Sequence, residues 1–280
     1  MQDVLKHLQV HIPFDQLFQK HLGKVLRERI NPEIAFNSAI LERFTDSEYA
    51  GLAKKLCGPD RSVTFHGPFM DLRPGAVDPE IRKVSLRRFS RLFEIAVHFR
   101  PRSIVFHPSY DEKYYASSGR RWLENSIETW SQLLPLAERL DTLIALENVY
   151  EPNPDWIERL LEALPPDRVG FCFDTGHFNA FAGSPLETWL DRLGPRLIEI
   201  HLHDNRGARD EHLPVGEGTF PFERLFAFIR ERGLRPILTV EAHTEQNLSK
   251  ALENIRNRGY LEGLGATGRP PLQTSAAGRD

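Results

Sequence analysis

Short apolar runs recur along the chain, and each gives way to a stretch in which apolar residues return every three or four positions. Eight runs stand out: LQVHIPF at 8–14, PEIAFN at 32–37, SVTFHGPF at 62–69, SIVFHPS at 103–109, TLIALENV at 142–149, VGFCFDTGH at 169–177, LIEIHLHD at 197–204 and PILTVEAH at 236–243. Their β-branched and aromatic content predicts strands. Between them, Ile81, Val84, Phe89, Leu92, Phe93, Ala96 and Val97 trace a helical stripe over 80–99. Trp122, Leu123, Ile127, Trp130, Leu133, Leu134 and Ala137 trace a second. Strands alternating with helices predict parallel βαβ units, and eight of them in 280 residues predict a single α/β domain, a closed (β/α)8 TIM barrel.

Side-chain parity supports closure, because residues on a barrel strand alternate between the packed interior and the surrounding helices. In the fourth strand Ile104 and Phe106 face outward and Ser103, Val105 and His107 inward. In the sixth, Phe171 and Phe173 face outward and Gly170, Cys172 and Asp174 inward. In the eighth, Leu238 and Val240 face outward and Thr239 and Glu241 inward. Bulky residues lie outside, small or polar ones inside, and a polar residue closes most strands at the C-terminal end, where barrel enzymes carry out their chemistry. Two places resist the pattern. The second strand offers no obvious functional residue, and Glu199 points inward as a carboxylate in need of a partner.

Composition narrows the class without choosing a function. Hydrophobic residues make up 40% and charged residues 27%, and no run is long and apolar enough to span a bilayer. The N-terminus carries no secretory pattern, so a cytoplasmic, membrane-free protein is expected. Cys57 and Cys172 lie too far apart for a CxxC pair and read as reduced thiols. A formal net charge of −3 disfavours a polyanionic partner such as duplex DNA. The domain is expected to cover residues 1–262, and GATGRPPLQTSAAGRD, with little to bury, reads as a disordered tail within 263–280.

The strand ends gather His66, His107, Glu147, Asp174, His177, His201 and Glu241, and the loop after the seventh run adds Asp210 and His212. So many carboxylates are costly to bury together unless cations neutralise them. Mixed imidazole and carboxylate sets suit zinc, manganese or iron better than magnesium or calcium, and zinc or manganese is expected. Nine candidate ligands exceed what one ion takes, so one to three divalent ions per chain are expected. Each residue has a plainer reading as well: Asp174 suits a helix cap, and Asp210 and His212 suit an ordinary loop. His203 and Asp204 read as supporting or capping residues. His7, His21 and His98 lie in helical or terminal surroundings and read as surface or structural residues. His11 faces inward on the first strand, and Arg206 and Arg209 flank the histidine-rich loop; these three are candidates for contacting substrate. Phe69 and Met70 are candidate pocket walls.

These motifs resemble the xylose isomerase-like TIM-barrel superfamily, which includes endonuclease IV and the sugar phosphate isomerases and epimerases. HLHDN followed by DEHLPVGEG is similar to the seventh-strand region of endonuclease IV-like members, FDTGH to their Asp-Thr-x-His, and FHP, LEN and VEA to other ligand-bearing strand ends. The resemblance covers roughly residues 8–258. It implies that Glu147 bridges two ions, His66 and His107 completing the first and Asp174, His201 and Glu241 the second. His177, Asp210 and His212 would hold a third. The isomerase and epimerase branch implies a smaller set, Glu147, Asp174, His201 and Glu241 around one ion, with His177 facing substrate. In endonuclease IV itself the early loops carry basic and aromatic residues that penetrate DNA; here those loops offer only isolated Arg43 and Arg73.

Three functions follow as expectations. The first is hydrolysis of a small-molecule phosphate ester at a multinuclear centre. The second is a sugar or sugar phosphate isomerase or epimerase, in which Glu147 and Glu241 exchange a proton at carbon. The third is a silent metal- or sugar-binding module. The oligomeric state is left open.

Overall fold

The structure is a computed structural model that describes residues 2–58 and 61–264. Eight strands form a closed barrel in sequence order, and the strand pairs are parallel. They are β1 (Gln9–Pro13), β2 (Asn31–Ala35), β3 (Thr64–His66), β4 (Ser103–Phe106), β5 (Leu143–Glu147), β6 (Val169–Asp174), β7 (Leu197–Leu202) and β8 (Ile237–Val240). Each expected run coincides with a strand shorter than the run; β2 begins one residue ahead of its run, β3, β5 and β6 end on His66, Glu147 and Asp174, and His107 and Glu241 lie just past β4 and β8. The seam is narrow: β1 meets β8 only through Gln9 with Thr239 and Val10 with Val240. The tail expected from residue 263 lies, from 265 onward, outside the described residues.

The helices start and stop where local chemistry dictates. Asp78 caps the helix Pro79–Phe99 by accepting from Glu80 N at 2.7 Å, and Pro79 fills its first turn. Arg100 ends it in the left-handed region at φ 48°. The stripe read from the sequence is buried in its middle, at Phe89, Leu92, Phe93 and Ala96, whereas Ile81, Val84 and Val97 are exposed. Ser85, Ile95 and Phe99 complete the buried face instead. In the helix Gly119–Leu140 the predicted stripe holds: Trp122, Trp130, Leu133 and Ala137 are buried, with Leu123, Ile127 and Leu134 packed beside them.

Parity holds inside the barrel with one instructive break. Outward residues such as Ile104, Phe106, Phe171, Phe173, Ile200, Leu238 and Val240 join the large core shared with the helices. Val105, Leu143, Ala145, Cys172 and Ile198 form a separate small cluster that fills the barrel interior. Ile198 belongs there because the β6 and β7 register slips between Phe171 and Cys172. The slip lets both Ile198 and Glu199 point inward and restores the alternation that carries His201 to the mouth. Glu199 finds its partners there, accepting from Ser103 Oγ at 2.6 Å and Thr239 Oγ1 at 2.9 Å. Among the described residues, no helix is long and apolar enough to cross a membrane.

Candidate metal centre

Most strands deliver a polar residue to one rim because an alternating strand that buries its apolar face must turn the next residue into the mouth. Glu147 ends β5 and is almost fully buried. Its Oε2 lies 3.2 Å from His66 Nε2 at the end of β3 and 3.1 Å from His107 Nε2 just past β4. Its Oε1 lies 3.1 Å from His177 Nδ1 and 3.5 Å from His201 Nδ1. One carboxylate thus faces two pairs of imidazoles. Glu241, just past β8, closes the far side, with Oε1 3.2 Å from His201 Nδ1 and Oε2 3.7 Å from His212 Nδ1.

Asp174 fills the plainer role foreseen for it and a second one. Its Oδ1 caps the helix Thr175–Phe181 by accepting from His177 N at 2.6 Å, which fixes His177 one turn away. Its Oδ2 sits 2.9 Å from His203 Nε2 and 3.8 Å from His201 Nδ1. His203 therefore lies within the cluster, a closer place than its sequence suggested. The glycine of DTGH follows from this contact: a Cβ at Gly176 would fall 2.0 Å from His203 Cε1.

The loop after β7 folds back on itself. Asp204 and Leu213 exchange backbone hydrogen bonds of 2.9 and 2.8 Å, and the ring of His212 is laid over that of His203 at 3.9 Å. The Asp204 carboxylate accepts from the backbone amides of Asn205, Gly216, Gly218 and Phe220, so it staples the loop. A Cβ at Gly218 would meet Asn205 O at 2.1 Å, which accounts for the last glycine of GEG. The staple presents Asp210 Oδ2 at 3.0 Å from His212 Nε2 and 3.6 Å from His177 Nε2.

All nine predicted ligand positions therefore meet at one mouth. Donor atoms of His66, His107 and Glu147 lie within 4.8 Å of one another, as do those of His66, His201 and Glu241 and those of His203, His212 and Glu241. His107 Nε2, His201 Nδ1, His203 Nδ1, Asp210 Oδ1 and His212 Nδ1 are buried without a hydrogen-bond partner. Such atoms converge on carboxylates at ion-pair distances yet lack hydrogen-bonding geometry. That pattern, together with the mixed imidazole and carboxylate chemistry, fits a divalent transition ion. Electrostatics point the same way. Burial pulls the His177 and His203 pKa values down, but Asp174 and its neighbours override it and raise them, so the site draws positive charge. Burial pushes the Glu147 carboxyl up, yet His107 and His201 hold it well below the usual range.

Other expected residues fall differently. His11 reaches the cluster, with Nδ1 3.0 Å from both Glu33 Oε1 and Glu241 Oε1. Burial opposes its charge, but Glu241 and Glu33 raise its pKa to about 10. Arg206 and Arg209 do not reach it: both side chains are exposed and turn to Glu211, at 3.1 and 3.6 Å. Phe69 and Met70 do line the mouth cavity of about 410 Å3, beside Arg73, whose guanidinium lies 4.2 Å over the Tyr114 ring. Sequence reasoning missed Glu33, which is fully buried in β2 beneath the mouth. The signal was parity, since Glu33 stands between the outward Pro32 and Ile34 and aligns with His11 of β1 and Thr64 of β3. His243, stacked on His212 at 4.0 Å, was also missed.

A closed parallel barrel with imidazoles and carboxylates converging at its C-terminal mouth defines a class of protein. The family model of the xylose isomerase-like TIM barrel matches residues 33–264, and the chain belongs to that family. Uncharacterized protein MJ1311 of Methanocaldococcus jannaschii is 29% identical over 210 residues, covering 71% of this chain and 70% of that protein. Both branches of the superfamily are represented among its homologues. Fructoselysine 3-epimerase of Escherichia coli O157:H7 is 38% identical over 123 residues, 42% of this chain and 44% of the epimerase. A probable endonuclease 4 of Mycobacterium leprae is 24% identical over 184 residues, 61% and 69% of the two chains. Among solved structures, a D-tagatose 3-epimerase-like protein shares the fold with a TM-score of 0.77 at 24% identity, over 91% of this chain and 97% of that one. The TTHB071 protein from Thermus thermophilus, soaked with ZnCl2, gives 0.75 at 25% identity, over 90% and 99%.

Proposed function

We propose that the chain is a divalent-metal-dependent enzyme that hydrolyses a phosphate ester of a small molecule. The observation that carries this reading is the placement of His177, Asp210 and His212 beside the Glu147 cluster. A proton-transfer enzyme working with one ion has no need of that loop arm. His66, His107 and Glu147 would hold one ion, Asp174, His201 and Glu241 a second, and His177, Asp210 and His212 a third. The ZnCl2 soak of the Thermus thermophilus relative supports zinc as the first ion to try. When bound, such ions acidify water towards neutrality and offset charge on phosphoryl oxygens and the leaving oxygen.

The chain's own residues have narrower tasks. Glu147 presents an oxygen to each pair of imidazoles and so ties two ligand sets together. Asp174 is pinned by its capping bond, which holds its second oxygen towards the cluster. Arg73 places a positive charge on the cavity wall for an anionic substrate, and Phe69 and Met70 line the wall beside it. A cavity of about 410 Å3 suits a small molecule.

A second reading is a sugar epimerase, favoured by the fructoselysine 3-epimerase relative and by the presence of the smaller set Glu147, Asp174, His201 and Glu241. In that case Glu147 and Glu241 take and return a proton at a substrate carbon. One experiment separates the two. Zinc- or manganese-loaded protein is incubated in D2O with a panel of phosphate mono- and diesters and a panel of ketoses. Release of phosphate or alcohol without deuterium in the sugars supports the hydrolase. Deuterium at ketose carbon without ester cleavage overturns it in favour of the epimerase, and neither reaction leaves a binding module.

A further inference from the structure

Beneath the mouth, β2 supplies a carboxylate that none of the proposed ligand sets uses. Glu33 Oε1 lies 3.0 Å from His11 Nδ1, and Glu33 Oε2 lies 3.3 Å from His201 Nε2 and accepts from Thr64 Oγ1 at 3.4 Å. His11 Nδ1 is shared with Glu241 Oε1 at 3.0 Å. The other nitrogen of His201, Nδ1, is buried without a hydrogen-bond partner and stands 3.2 Å from Glu241 Oε1 and 3.5 Å from Glu147 Oε1. An imidazole whose one N–H is given to a carboxylate presents its opposite nitrogen as a lone pair, and the carboxylate makes that lone pair more basic. His66 and His177 are anchored differently, each giving Nδ1 to a neutral backbone carbonyl, of Gly67 and Asn148.

We infer that Glu33 is a positioning residue of the metal centre: it fixes His201 with Nδ1 as the ion-facing donor and, through His11, holds Glu241 against the same ion. The inference rests on the proposed metal centre. It does not depend on the choice between hydrolase and epimerase, because His201 and Glu241 belong to both ligand sets. It assigns the ion at His201 and Glu241 as the most tightly held, since a buried carboxylate braces these two ligands from below.

The test is the zinc affinity of the purified 280-residue chain, measured by competition with a chromophoric chelator, beside thermal melting of the metal-free protein. Glu33→Gln keeps the side-chain size and loses the charge; it is expected to weaken the tightest site by about tenfold to a hundredfold. Glu33→Asp keeps the charge but shortens the reach, and is expected to lose about tenfold; it serves if the first variant does not fold. Glu199→Gln alters the neighbouring buried carboxylate, which meets the hydroxyls of Ser103 and Thr239 and also lies against Glu33; the amide can still donate to Glu33, and the change is expected to leave zinc affinity within about twofold. Wild-type affinity in a folded Glu33 variant overturns the inference and leaves the metal centre standing. Equal losses in the Glu33 and Glu199 variants reduce Glu33 to packing and also overturn it. A wild-type chain that binds no zinc or manganese overturns the metal centre and this inference together.

Discussion

Glu199 and Glu147 both point into the barrel interior, a layer apart, and they are met in opposite ways. Glu199 accepts from two hydroxyls, Ser103 Oγ and Thr239 Oγ1, lies against Glu33 and His201 on one side, and borders the small apolar cluster of Val105, Ala145, Cys172 and their neighbours on the other. Burial and the charge of Glu33 push its carboxyl up to about 8, so it is neutral at pH 7 and satisfied as it stands. Glu147 is as deeply buried but is held ionised, and the imidazoles around it leave His107 Nε2 and His201 Nδ1 without hydrogen bonds. A buried charge costs several kcal/mol unless something neutralises it. The density of polar groups therefore does not define a site; what matters is whether those groups satisfy one another.

That contrast can be broken most sharply at Glu147. Glu147→Gln is expected to lower turnover by at least about a thousandfold, about 4 kcal/mol of barrier, and to reduce bound metal, whereas Glu199→Gln leaves turnover within about twofold. Steady-state rates and metal content on the two variants check this, and similar losses in both would erase the distinction. Next in size, Asp210→Asn is expected to cut ester hydrolysis by about a hundredfold, about 2.7 kcal/mol, with one fewer ion per chain. Unchanged hydrolysis in that variant would return the loop to its plain reading. A smaller effect is expected from Gly218→Ala, whose methyl collides with Asn205 O in the loop stapled by Asp204. Overpacking of this kind costs about 1–3 kcal/mol, read as a lower melting temperature, with the Asp210 and His212 arm loosened first. Smallest of all, Arg206→Ala and Arg209→Ala, together, are expected to change KM by no more than about twofold, because both side chains are exposed and turned to Glu211. A tenfold rise in KM would bring them back to the substrate.

Much of this was legible in the chain because barrel geometry repeats. The alternation of bulky and polar residues placed Val105, Cys172 and Thr239 inside and carried His107, Asp174 and Glu241 to one rim, which is where they are found. Glu33 was not read, although the same counting would have turned it inward, because its strand ends without a histidine or acid at the mouth and so gave no reason to count. The loop was legible in composition only. That Asp204 would hold it by four backbone amides, and that His203 would lie against Asp174, depends on how the chain turns back through Leu213. The slip beside Ile198 was equally hidden, since both parities of LIEI bury an apolar residue. Arg206 and Arg209 read as substrate candidates because a cation near a metal-binding loop suggests an anionic substrate; in the structure both turn to Glu211.

On the proposed function, the imidazoles and carboxylates at the mouth hold more than one divalent ion. Elemental analysis of the chain, purified without chelators and dialysed to constant composition, tests it directly. Two or three zinc or manganese ions per chain are expected, falling by one in Asp210→Asn. A chain with no bound metal, or with one ion whether or not Asp210 is intact, would contradict it.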